Sequence, residues 1–426
     1  MQTVSESHSE SALASPLHEP SQGAWSRPVR AEIDLSAVAD NVRSLKSAIG
    51  ARTRVMAVVK ANGYGLGAPW VAAAALEGGA SMLGVACVDE GVELRRAGYN
   101  GPILVMSYVG PEEAETAVGN GLTLALHRAR TALALNQAAS ACGMPPQSVA
   151  VHIKVDTGLG RYGCLPQELI SLAREVQRLP YLRLEGLMTH FADADSPDLS
   201  FAREQLNRFN WTRREAQEHG IKFSIVHAAN SAAALSLPES RFDMVRVGII
   251  LSGHLPSPAL QGTLPLRRAL TLRTRLARVY DVEAGDTVGY GRTWTAERPS
   301  RIGLIPLGYA DGYRRALSNR AEVLVCGMRC PVVGRVSMDQ AAVDLTDVAQ
   351  AAEGTEVVVI GAQGDQEITA DEVARWADTI SYEVLCGLAE RVPRHYFHGG
   401  EPVEVCDLLG CKPTHARPAP KRELSR

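Results

Sequence analysis

The chain lacks an uninterrupted apolar run of the roughly 20 residues that a membrane helix needs, so no membrane partner is expected. It also lacks an excess of charge of either sign. A net charge of −3 and a pI near 6.4 exclude the strongly basic surface of a nucleic-acid or anionic-membrane binder. Clustered cysteines are missing too. Eight are scattered at positions 87, 142, 164, 326, 330, 386, 406 and 411. Only Cys326 and Cys330 are close, and no histidine or second pair completes a zinc pattern, so no metal is expected. The opening MQTVSESHSESALASPLHEPSQG has neither the basic start nor the apolar segment of a secretory signal. These absences together predict a cytoplasmic protein whose cysteines are reduced thiols.

What is present is ordinary globular material, 46% hydrophobic and 21% charged, over a length that suits two domains. Residues 1–28 are rich in Ser, Glu, His and Pro without periodicity and are expected to be a disordered tail; 412–426 reads the same way. Between 29 and 270, short β-branched runs alternate with amphipathic or Ala-rich stretches. The strand candidates are VMAVV (55–59), MLGVA (82–86), ILVMS (103–107), LTLAL (122–126), VAVHIKV (149–155), LRLEGLMTH (182–190), FSIVHAA (223–229) and MVRVGII (244–250). Helix-like stretches such as APWVAAAALEGGA and SPDLSFAREQLNRFNWTRREAQEH lie between them. Eight βα units predict an α/β fold, a (β/α)8 TIM barrel, with a doubly wound open sheet as the competitor. From 271 to 411 the texture is β-rich with Gly/Asp turns and one helical patch, TADEVARWADTI, which predicts a second, mostly β domain.

In a TIM barrel, catalytic groups sit at the C-terminal ends of strands and in the loops that follow. Five of the eight candidates end in polar groups. The first stops at Lys60. The fifth runs into KVDTGLGRYG, with Lys154, Asp156 and Arg161. The sixth stops at Thr189 and His190, and the seventh at Asn230 and Ser231. The eighth carries Arg246 before Gly248 and Ile249. Any one of these could be a satisfied core residue, but the set points to a site. An ammonium at the end of a buried strand must shift its pKa or find a partner, and a lysine so placed can act as a Schiff-base amine. A small hydroxyl beside glycine-flanked backbone amides can hold a phosphate. Lysine, phosphate cup and arginines suggest pyridoxal phosphate (PLP), with class I aldolase chemistry open at this level.

Nine blocks carry a specific resemblance: AVVKANGYGLG, HIKVDTGLGRYG, GLMTHFADAD, HAANSAAAL, MVRVGI, VGYGRTW, PLGYADGY, VGRVSMDQ, and SYEVLCG with RVPR. In this order across two domains they resemble the alanine racemase family, fold-type III PLP enzymes with an N-terminal barrel and a C-terminal β domain. The resemblance implies that Lys60 holds PLP covalently. It implies that Tyr64, Ser231 and the backbone at Gly248 and Ile249 cup the phosphate, and that Arg246 faces the pyridine nitrogen. A guanidinium stays protonated below about pH 12 and only donates, so that nitrogen would stay unprotonated and the ring a weaker electron sink.

Racemisation removes a proton on one face of Cα and returns it on the other, so two bases are expected. The resemblance assigns them to Lys60 and Tyr290. A phenol's ordinary pKa is about 10, so Tyr290 needs help, implied to come from His190 tied to Arg246. Asp339 is expected to position Tyr290. Arg161 matches an arginine near the substrate carboxylate, and Lys154 a lysine carbamylated in some members. In the family the second base comes from the partner of a head-to-tail homodimer, as do the residues matched by Tyr309, a cofactor contact, and Met338, a substrate contact. Asp195, Arg315 and Arg335 match the substrate entrance.

The chain departs from the family at Gly63 and Leu66, where alanine and histidine are common, and at Glu390, where some members have tyrosine. The expected reaction is interconversion of L- and D-alanine, supplying D-alanine for peptidoglycan. A serine or broad-specificity racemase is the alternative, since methyl and hydroxymethyl groups are discriminated only about 100-fold in an apolar pocket. A fold-type III decarboxylase is disfavoured by Arg246, because that class puts an acid at the ring nitrogen. A barrel-only PLP carrier is disfavoured by the second domain.

Overall fold

A computed structural model describes residues 27–414. Nine strands are labelled in chain order, beginning with β1 (Arg30–Asp34). Eight parallel strands follow: β2 (Arg54–Val58), β3 (Met82–Val85), β4 (Ile103–Val105), β5 (Thr123–Leu126), β6 (Val149–Lys154), β7 (Leu182–Met188), β8 (Ile225–His227) and β9 (Met244–Val247). Their order, β8-β7-β6-β5-β4-β3-β2-β9, leaves one seam between β8 and β9. The seam is drawn together by Asp243 N to Val226 O (3.0 Å) and Arg246 N to Ala229 O (3.0 Å). All eight expected strands form, and the nearly closed barrel displaces the open-sheet competitor.

The two-residue period of a strand decides what points inward. Met56, Met82, Leu104, Ala125, Met188, Ile225 and Met244 pack as one cluster, the barrel's inner layer. Their neighbours Val55, Ala57, Leu83, Val226 and Val245 belong to the outer core under the helices, as does Val151 of β6. Continuing the alternation from Met244, Ile225 and Met188 places Arg246, His227 and Gly186 on the inner face. On β6, His152 and Lys154 alternate with the outward Val151 and Ile153. The polar layer therefore lies directly above an apolar plug.

The second domain is a twelve-stranded sheet in which Leu270–Arg275 and Arg394–His398 flank β1. Here the structure departs from the expected division, in which everything from 29 belonged to the barrel. β1 pairs antiparallel with Leu270–Arg275 and parallel with Arg394–His398, while the next helix, Leu35–Ile49, packs back on the barrel helices. Arg30 and Arg273 face each other across the ladder, an otherwise repulsive pair. Glu32 reaches both, at 2.7 and 2.9 Å, and Glu356 both, at 3.2 and 2.7 Å. This alternation of charge settles the crossing.

The expected tail limits also move. Arg27 is already anchored, its Nη1 2.7 Å from the buried Asp311 carboxylate. At the other end, Gly410–Pro413 forms a hairpin with Glu401–Asp407, so the expected tail from 412 begins too early. Residues 1–26 and 415–426 of the two expected tails lie outside the described residues. That hairpin also corrects the all-thiol reading, because Cys406 and Cys411 pair across it as a disulfide with Cα atoms 4.0 Å apart. The other six cysteines are free. Among the described residues no helix is long and apolar enough to cross a membrane.

Candidate active site

Lys60 follows β2 and begins a tight turn, Lys60–Tyr64. Ala61, Asn62, Gly63 and Tyr64 all have positive φ, a left-handed stretch unusual for residues with side chains. Its neighbours hold it. Glu90 accepts from Ala61 N at 2.6 Å and Ala86 N at 2.7 Å, and Asn62 Oδ1 accepts from Ala68 N at 2.9 Å. Arg394, from the second domain, donates to Gly65 O at 3.2 Å. The strained turn is thus clamped from both domains. Burial pushes the Lys60 ammonium below the ordinary lysine value, and the charge of Arg161 adds to this.

Tyr64 turns back under the turn toward β9. A Cβ on Gly248 would collide with its hydroxyl, so only glycine admits it there. Ser231, at the start of the short helix Ser231–Ser236, accepts from Gly248 N at 3.2 Å. A half-buried phenol, a buried hydroxyl and backbone amides therefore meet between β8 and β9, a donor set suited to a phosphate. Burial raises the Tyr64 pKa, so it remains a donor.

Arg246 is 3% exposed, and no carboxylate reaches it among the described residues. Its Nη2 donates to Thr189 O (2.7 Å), Ala228 O (2.8 Å) and His190 Nδ1 (3.1 Å). Its Nη1 donates to His227 O (3.1 Å) and His227 Nδ1 (2.9 Å). Nε makes no hydrogen bond among the described residues and remains a spare donor. Because guanidinium only donates, His190 must accept at Nδ1 and carry its hydrogen on Nε2. Burial, then the Arg246 charge, holds His190 well below the ordinary histidine range, so it is neutral.

Lys154 donates to Met106 O at 3.3 Å, and burial followed by the Arg246 and Arg161 charges lowers its amine to about 8. The Arg161 loop is shaped by Asp156, which accepts from the amides of Gly158, Leu159, Gly160 and Arg161. Burial works against ionisation of Asp156, but these four donors carry it below the usual carboxylate value.

The structure thus brings Lys60, Tyr64, Ser231, Gly248, Arg246 and His190 to one end of the barrel. It does not bring the second-domain residues there. Tyr290 sits on a glycine-flanked turn, 71% exposed and without a hydrogen bond among the described residues. Tyr309 and Met338 are also exposed, at 42% and 53%. Gly291 of the Tyr290 turn abuts Arg335. Asp339 accepts from Arg391 at 2.7 Å rather than bonding Tyr290. Asp195, Arg161 and Arg315 are exposed. Sequence reasoning missed Glu90 and Arg394, the clamps, and Tyr382, whose ring lies 6.1 Å from that of Tyr64. Tyr382 lies in SYEVLCG and Arg394 in RVPR. Glu90 had only its place in the first turn of a helix as a signal.

A parallel barrel with a perturbed lysine beside a phenol, a hydroxyl and backbone amides, joined to a β domain that presents an exposed tyrosine, is the frame of an enzyme working on amino groups. The family models for the alanine racemase N-terminal and C-terminal domains match residues 33–256 and 269–396, and the chain belongs to that family. It is 50% identical over 375 residues to the alanine racemase of Symbiobacterium thermophilum, covering 88% of this chain and 98% of the relative. Among solved structures it resembles alanine racemase from Bacillus anthracis with bound L-Ala-P, with a TM-score of 0.85 and 37% identity over 91% of this chain and 99% of that one. It also resembles alanine racemase from the D-cycloserine producer Streptomyces lavendulae, with a TM-score of 0.84 and 39% identity over 88% and 98%.

If the cradle takes the phosphate of PLP, Gly248→Ala should displace the Tyr64 hydroxyl and weaken PLP retention by at least about tenfold, the cost of losing a charge-assisted hydrogen bond. An absorbance titration of the folded variant reads this; unchanged affinity would remove Tyr64 and Gly248 from the cradle.

Proposed function

We propose that this chain interconverts L- and D-alanine by two bases, with PLP held on Lys60 and the second base supplied by another copy of the chain. The carrying observation is the convergence of Lys60, the Tyr64–Ser231–Gly248 cradle and donor-only Arg246 at one barrel end, in a chain 50% identical to an alanine racemase. The residues fit PLP. The cradle suits its phosphate, the depressed amine of Lys60 its aldehyde, and the spare Nε–H of Arg246 its ring nitrogen. When bound, the cofactor delocalises the charge that develops as the Cα proton leaves.

The chain's own groups handle that proton. Lys60 Nζ, the amine that would hold the cofactor, would serve one face of Cα. The Tyr290 phenol of the second copy serves the other, returning a proton as Lys60 removes one. His190 is neutral with its hydrogen on Nε2, so that atom can donate to the tyrosine oxygen and favour phenolate. Arg246 keeps His190 from becoming a competing acid. Ile249 lends its backbone to the cradle beside Gly248. Exposed Tyr309 and Met338 would enter the partner's site with Tyr290. Arg161 would meet the substrate carboxylate, and Asp195, Arg315 and Arg335 would line the entrance. Asp339, tied to Arg391, acts through the Met338 loop it sits on. The product fits D-alanine supply for peptidoglycan in the cytoplasm.

Holoenzyme given L-alanine in deuterium oxide should yield D-alanine deuterated at Cα. Lys60→Ala should abolish exchange together with borohydride fixation of PLP to the chain. Exchange with serine at an equal rate would favour the broad-specificity alternative. Complementation tests the shared site. Lys60→Ala and Tyr290→Phe chains are each expected to lose about 100-fold or more in rate, the weight of a general acid–base group. Co-refolded, they should regain activity through one intact composite site, whereas a site built within one chain stays dead in the mixture.

Lys154 is proposed to carry a carbamate. Its amine, lowered to about 8, is partly neutral near physiological pH, can add to carbon dioxide and release a proton. The resulting anion would sit among Arg246 and Arg161. Native mass spectrometry in bicarbonate should show the added carboxyl group on Lys154 and its loss on acidification; a bare lysine counts against it.

A further inference from the structure

We propose that His227, His152 and Glu185 form a one-way hydrogen-bond relay inside the barrel that orients Arg246 and supplies its counter-charge, making all three positioning residues for the proton chemistry above. The proposal rests on the reading of Arg246 as the partner of the cofactor's ring nitrogen.

Arg246 is a buried cation without a direct anionic partner among the described residues, a costly arrangement unless charge is balanced nearby. The balance lies two imidazoles away. Arg246 Nη1 is 2.9 Å from His227 Nδ1, His227 Nε2 is 2.8 Å from His152 Nδ1, and His152 Nε2 is 3.1 Å from Glu185 Oε2. One fact sets every hydrogen in this chain. Guanidinium can only donate, so His227 accepts at Nδ1 and carries its hydrogen on Nε2. That hydrogen points at His152 Nδ1, which must accept, so His152 carries its own on Nε2. Glu185, a carboxylate, then accepts. Each step runs donor to acceptor away from Arg246, and the dipoles add in the direction that stabilises its positive charge.

The surroundings hold the rings neutral. Both are completely buried. Burial leads in depressing both, and the Arg246 charge acts in the same direction; Glu185 opposes this at His152 without restoring it. Glu185 is held down to about 2 by the His152 hydrogen bond, overcoming its own burial, with help from Arg183 at 2.5 Å. The anion at the relay's end therefore persists at any working pH. Room for the relay is built into the backbone. A Cβ on Gly186 would lie only 2.4 Å from His152 ring atoms, and the β6–β7 register slips between Val151 and His152 where that ring passes. His190 and His227 share the two terminal nitrogens of Arg246, so the relay also bears on the histidine proposed to serve Tyr290.

The test combines wild type with three variants. His152→Leu cuts the relay. His152→Gln can accept and donate in the same sense. Glu185→Gln keeps the terminal acceptor and removes its charge. In nitrogen-15 NMR of the histidines, ligand-free wild type should show His227 and His152 as neutral Nε2–H tautomers at neutral pH. In the holoenzyme, His152→Leu should lower kcat by about tenfold or more with KM little changed, as loss of an orienting partner does, and His152→Gln should recover most of it. Glu185→Gln, at a partly exposed site that leaves the fold intact, should fall between and weaken PLP binding. An Nδ1–H tautomer at His227, or wild-type kcat and PLP affinity in folded Glu185→Gln and His152→Leu, overturns the relay. If His152→Leu does not fold, the wild-type tautomers and Glu185→Gln decide. Failure of wild type to take up PLP would instead sink the underlying reading of Arg246, while the tautomers still report on the relay.

Discussion

A buried guanidinium that can only donate organises this barrel. Arg246 spends both terminal nitrogens on the ends of β7 and β8: the carbonyls of Thr189, His227 and Ala228, and two imidazoles. In doing so it closes the polar side of the seam between β8 and β9 that the strand ladder leaves open. It also fixes which nitrogen of His190 and His227 carries hydrogen, a choice that would otherwise be free. Burial weakens its hold on the proton only to about 9, so it stays a cation under physiological conditions. The proposed roles of His190, Lys154 and the ring nitrogen all depend on that permanent positive charge.

The second constraint is mechanical. The Lys60 turn is left-handed at residues that disfavour it, and strain of this kind persists only where surroundings over-determine it. Glu90 secures it from the barrel and Arg394 from the β domain. The helix Ser381–Cys386 closes over Gly65, whose missing Cβ would strike the Leu385 carbonyl. The two domains are therefore not a catalytic unit with an accessory. The β domain holds the lysine of its own chain in place while presenting Tyr290, Tyr309 and Met338 outward.

Much of this was legible locally. Each barrel strand is a short β-branched run, and strand period alone aims Lys154, His152, Arg246 and His227 inward. Polar residues at strand ends marked the site before any resemblance did. Three things were not legible. RAEID before a helix looks like any βα start, and its place in the other sheet depends on Leu270–Arg275 and Arg394–His398, hundreds of residues away. The pairing of Cys406 with Cys411 depends on a hairpin that turned an expected tail into strand. The relay from His227 through His152 to Glu185 was not legible either, because inward aim does not say which side chains meet, and Glu185 reaches His152 only where the β6–β7 register slips.

By itself, then, the amino-acid sequence determined the eight barrel strands, their inward and outward faces, and the kinds of chemical group at the barrel's end. These follow from period, turn chemistry and motif, all read within a few residues. Only the tertiary structure decided which strands share a sheet, which nitrogen of each histidine bears hydrogen, and which charge answers Arg246. Those depend on contacts between distant segments, where distance and burial, not residue type, set the energy.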